Sequence, residues 1–127
     1  MKRLVTQSFA AGALMLCATG LSPLSAQDTA GDAVSAEEQV DNGLKNFGYI
    51  AGLSRGCVAE AQQSAFERDV LDMHATVTRL LGVDRAFLFS AAYGYGTSVV
   101  TDNDNCVEVL RQYETRSKKF RGAAKGG

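Results

Sequence analysis

Few residues in this chain have the types and spacing that chemistry needs. Gly52-Leu53-Ser54-Arg55-Gly56 has the spacing of the nucleophile elbow of serine hydrolases, and Asp69 or Asp72 and then His74 follow in the order a triad would take. That chemistry requires the serine on a sharp strand-to-helix turn above a parallel sheet, with its Oγ exposed. Here the pentapeptide lies in a helical stretch with no strand before it, in a chain too short for such a sheet. A glycine-rich helix accounts for the match, so no catalytic residue is assigned and the protein is not expected to be an enzyme.

His74 is the single histidine. Zinc sites usually gather three or four protein ligands. The neighbouring Glu67, Asp69 and Asp72 have the spacing of a solvated helix face, so an exposed histidine is expected. A histidine titrates close to neutrality, which also makes it the one candidate for pH sensing. Asp102-Asn103-Asp104-Asn105 opens like a calcium loop, but the glycine and the carboxylate that such a loop needs are replaced by Val107 and Tyr113. A helix cap explains the same residues. Tyr93-Gly94-Tyr95-Gly96 lacks the spacing and the lysine of a phosphate loop and reads as close helix packing or a kink. No metal or cofactor is expected.

The cysteines point to structure rather than catalysis. Lys2 and Arg3, an apolar run from Phe9 to about Leu21, Pro23 and small residues up to Ala26 form the layout of a signal peptide over residues 1–26. The run is too short and too interrupted to span a bilayer. Leu16 before Cys17 argues against a lipid anchor, where small residues are expected. Processing leaves Cys57 and Cys106, an even number in an oxidising compartment, and one pairing is open to them within the chain. Their spacing is not the Cys-x-x-Cys of a redox thiol. Removal of Lys2 and Arg3 takes the formal charge from −1 to −3, which gives no electrostatic reason to expect nucleic acid or an anionic membrane. The C-terminal cations, from Arg116 to Lys125, read as a solvated helix end.

The elements that must position these residues are helices. Residues 27–34 read as a disordered leader. Ser35 and Glu38 then form a capping box, and Val40, Leu44, Phe47, Ala51 and Val58 mark one face of a helix ending near Gly56 and Cys57. Gly43, Gly48, Gly52 and Gly56 along it fit a close approach by another helix. A second capping box, Ser64 with Glu67, opens a helix on which Phe66, Val70, Met73, Val77 and Leu80 recur at three- and four-residue spacing up to Gly82. Asp84 caps a third helix from Arg85 to about Val100. Leu88, Ala92, Tyr95 and Val99 form one stripe on it, and Phe89, Tyr93 and Val100 another. Residues 101–105 lead into a last helix with Cys106, Leu110, Tyr113 and Phe120 on one face. The domain is expected over residues 35–121, with a disordered tail over 122–127.

These elements predict an all-α fold, a small four-helix up-and-down bundle tied by a Cys57–Cys106 disulfide. The third helix is apolar over too wide an arc for one packed face: Phe87, Phe89, Tyr93 and Tyr95 cannot all face one side, and Phe89, Tyr93 and Tyr95 are candidates for an interaction surface. With Cys57, Gly94, Tyr95 and Cys106 in view, residues 44–113 resemble a group of small two-cysteine exported proteins of alphaproteobacteria. Where such proteins often carry Phe-Asn before the Gly-Tyr, this chain has Ala91-Ala92. A weaker similarity is to the HdeA-type periplasmic acid-stress chaperones, also small, helical and tied by one disulfide. Neither resemblance supplies catalytic residues. The expected function is a non-enzymatic periplasmic protein that binds another periplasmic protein as an accessory or chaperone-like factor. The alternative is a small ligand held in gaps beside Gly48, Gly52, Gly94 and Gly96.

Overall fold

The computed structural model describes residues 34–126; the expected signal peptide with Cys17, the leader up to residue 33 and the terminal Gly127 lie outside them. Four helices follow one another: α1 (Ala36–Cys57), α2 (Glu60–Leu81), α3 (Val83–Thr97) and α4 (Asn103–Lys125). No strand occurs among the described residues. Successive helices alternate in direction, as in an up-and-down bundle. Leu44 clusters with Val77 while Arg55 meets Glu67, so α1 and α2 are antiparallel. Cys57 at the end of α1 is bonded to Cys106 in the first turn of α4, with Cα atoms 5.3 Å apart.

The bundle is not square. Its most extensive contact joins α1 to α3, the two parallel helices that a square bundle places on a diagonal. Glycine makes this possible. A Cβ on Gly48 would lie 2.2 Å from the Phe89 carbonyl oxygen, and one on Gly96 would lie 2.4 Å from that of Tyr49. Bare backbones therefore touch where side chains would hold the helices apart. The expectation for the α1 glycines holds for Gly48 and Gly52 only, because a Cβ on Gly43 would meet nothing within 4 Å and one on Gly56 only the Thr101 Oγ1 at 4.0 Å.

The core gathers around Phe47, Met73 and Phe89, with Val70, Ile50 and Tyr113 beside them. A smaller cluster of Leu44, Val77 and Ala86 continues it toward the α2–α3 connection. Met73, Val77 and Phe89 are fully enclosed, and burial of each side chain contributes about 1.5–3 kcal/mol. Of the expected faces, Val40 and Leu80 fall outside the core, 41% and 44% exposed.

Several helix boundaries differ from the sequence reading. α2 opens at Glu60, a turn before Ser64, and the capping box is not formed; Glu67 pairs with Arg55 instead. α3 opens at Val83, with Asp84 inside its first turn. The reason is Gly82, whose φ of 92° reverses the chain in a single residue. Its N–H donates to the Thr78 carbonyl and its own carbonyl accepts from the Ala86 N–H, so one residue closes α2 and opens α3. α3 stops at Thr97 rather than near Val100, where the Ser98 and Val99 N–H groups donate to the Tyr95 and Gly96 carbonyls three residues back and tighten the last turn. α4 continues through Lys125, where a disordered tail was expected from residue 122. Ala123, Ala124 and Lys125 are good helix formers, and a cation suits the end of the helix dipole.

Candidate functional site

The candidate site residues separate onto different surfaces. Phe89, expected on an interaction surface, is 1% exposed and stands edge-on to Phe47 with ring centroids 5.3 Å apart. It is a core residue, since a side chain sealed between helices cannot meet a partner. Tyr93, one turn along, is half-buried in a groove between α2 and α3. Tyr95 is 67% exposed, and its ring stacks on that of Tyr49 at 5.7 Å. Three residues that the sequence pattern grouped thus occupy the core, a groove and open surface.

The α2–α3 groove, about 560 Å³, brings together the titratable candidates Glu67, His74 and Tyr93. His74, half-buried, lines it with Tyr93 and the Arg55–Glu67 pair, whose Nε and Oε1 are 2.6 Å apart. Burial raises the Tyr93 phenol above its usual value, with Arg55 acting in the opposite direction. The Glu67 hydrogen bond raises the Arg55 guanidinium further. Within the groove Glu67 is paired with Arg55. No group of three His, Cys, Asp or Glu residues that could hold a metal occurs among the described residues.

Ser54 is fully buried inside α1, and its Oγ donates to the Val109 carbonyl of α4 over 3.4 Å. Its hydroxyl ties two helices together, in a helix interior rather than on the exposed turn a nucleophile needs. Asp102 stands at the start of α4, and its carbonyl accepts from the Asn105 N–H. The gaps proposed beside Gly48, Gly52 and Gly96 are closed by the facing backbone, and Gly94 opens onto space with nothing within 4 Å. At Gly48, Gly52 and Gly96 a ligand therefore has no gap to enter, because these three glycines serve contact between helices.

Two features had no clear signal in the sequence. Asp69 on α2 accepts from the Tyr113 hydroxyl at 2.7 Å through one oxygen and from Arg121 through the other, which ties α2 to α4. Burial first, and the Asp69 hydrogen bond second, raise the Tyr113 phenol well above its usual value. The second feature is a row on the outside of α3. Val83, Phe87 and Tyr95 are 72%, 69% and 67% exposed, and the exposed Ala91 completes a four-residue spacing. The sequence reading counted Phe87 and Tyr95 among the α3 aromatics that cannot share one face, but its stripes held only Tyr95 from this row.

No helix of the described residues is long and apolar enough to cross a membrane. The chain matches no protein-family model, and none of the curated proteins or solved structures compared with it.

Proposed function

We propose that this is a non-enzymatic periplasmic protein that binds another protein, as an accessory or chaperone-like factor, through the outer side of α3. The observation that carries this reading is the row Val83, Phe87, Ala91 and Tyr95. Residues four apart form the ridges that seat in the groove of a facing helix. Among the described residues no helix covers this ridge, and its three large members are more than half exposed. Ala91 leaves a dip between Phe87 and Tyr95, and the stack on Tyr49 holds the Tyr95 ring in place. A helical partner fits such a ridge and dip. The periplasmic part of the reading draws support from the Cys57–Cys106 bond and from the basic and apolar pattern of residues 2–21.

Site-specific photo-crosslinking tests the reading. A photoreactive residue at position 87 or 95 should trap one discrete protein adduct in cells, whereas the same residue at exposed Glu114 should not. With the photoreactive residue at position 95, Phe87→Asp should abolish the adduct while melting like the wild type. A strictly monomeric protein with no adduct from either α3 position would overturn it.

A further inference from the structure

A second concavity lies away from the α3 ridge. Between α1 and α4 runs an open groove of about 810 Å³, within the roughly 300–1,000 Å³ of small-ligand clefts. Leu44, Phe47 and Phe120 give it an apolar floor, and Arg111, Arg116 and Lys119 supply its charged lining, with no carboxylate among the lining residues. The pairing of the α4 cations is uneven. Arg111 is engaged by Glu108, Lys118 by Glu114 and Arg121 by Asp69. Arg116 and Lys119 meet no carboxylate among the described residues, and both line the groove. Along α4 the lining extends from Arg111 to Ala123, about 18 Å of helix.

Gly43 supplies an independent observation. It lies inside α1, where glycine weakens a helix, and close packing does not account for it, since a Cβ there would meet nothing within 4 Å. It does form part of the groove wall, which any side chain would raise.

We propose that this groove binds a long-chain carboxylate, with the acyl chain on Leu44, Phe47 and Phe120 beside Gly43 and the carboxylate between Arg116 and Lys119. The apolar floor selects the chain, and the two unpaired cations select an anionic head over a neutral one. A short carboxylate gains too little apolar contact, and a long-chain alcohol leaves both cations unanswered. The site is independent of the α3 ridge.

The test is titration of the purified full chain with dodecanoate below its micelle-forming concentration, read by native mass spectrometry and calorimetry, against dodecanol and acetate. Dodecanoate should bind one to one, dodecanol at least about tenfold more weakly, and acetate not at all. R116Q/K119Q should weaken dodecanoate by about tenfold or more and leave dodecanol unchanged. Gly43→Leu should fill the groove and abolish binding; should that variant not fold, the surface double variant still decides. No uptake of dodecanoate, equal affinity for dodecanoate and dodecanol, or affinity unchanged in R116Q/K119Q would each overturn the proposal. Binding to anionic vesicles without uptake of free dodecanoate would also overturn it, in favour of a membrane surface.

Discussion

Gly52 and Gly96 face each other across the α1–α3 contact: a Cβ on Gly52 would lie 2.7 Å from the Gly96 Cα, and one on Gly96 would lie 3.0 Å from the Gly52 Cα. The Tyr93 carbonyl oxygen is closer still, 2.3 Å from a Cβ on Gly52. Backbone cannot swing aside as a flexible side chain can, so even a methyl group must push the helices apart. Gly52→Ala should therefore cost about 1–3 kcal/mol, the scale of overpacking. Gly43→Ala, in open space on the same helix, should instead raise stability by up to about 1 kcal/mol. Urea unfolding of the two variants checks the opposite signs.

Cys57 and Cys106 are 49 residues apart and close the bundle at one end. Cross-linking a loop of that length stabilises by about 4 kcal/mol on the chain-entropy estimate, a large share of the roughly 5–15 kcal/mol of a small domain. The C57S/C106S variant should lose about that much in urea unfolding. The loss should appear first in α4, which packs mainly on α1 and touches α2 little. Hydrogen exchange that rises in α4 before α1 and α3 would be the sign.

The α2 core face was legible because Val70, Met73 and Val77 are large, apolar and regularly spaced. Helix order and the cysteine pair were legible for similar reasons. Of the buried face of α3, the close packing at Gly96 was legible in the Tyr-Gly-Tyr-Gly run, but a glycine adds no apolar side chain to mark which face that was. Its aromatic residues drew the reading toward one surface, and the fold distributed Phe89, Tyr93 and Tyr95 over three environments. The α1–α4 groove was hidden too, because Arg116 and Lys119 look like any cations near a helix end until the carboxylates around them are placed.

Asp69 joins Tyr113 and Arg121, and that junction should set an alkaline limit. Burial and the Asp69 hydrogen bond raise the Tyr113 phenol above its usual value near about 10. A group whose folded pKa is raised contributes stability that is fully present below its unfolded pKa and is lost as pH climbs toward the folded one. Stability should thus fall above about pH 10. Tyr113→Phe should lose about 0.5–1.5 kcal/mol at neutral pH with the hydrogen bond, and should flatten the alkaline decline. Urea midpoints of both proteins on either side of about pH 10 give the comparison.

Phe87 and Phe89 are two positions apart on α3 and point to opposite fates. Phe89 is enclosed against Phe47, while Phe87 is 69% exposed. Phe89→Ala should cost about 3–5 kcal/mol, as aromatic truncations in a core do. Phe87→Ser should stay within about 0.5 kcal/mol, because it removes no buried contact. Tyr95→Ser should fall between them, losing up to about 1.5 kcal/mol with its stack on Tyr49. Thermal melts rank the three variants. A large loss on Phe87→Ser would mean that this side chain is held within the fold, and the α3 ridge could not then be a free docking face. A neutral Phe87→Ser that nevertheless abolishes crosslinking separates the ridge from the core, because a residue that stabilises nothing inside the domain then acts on what lies outside it.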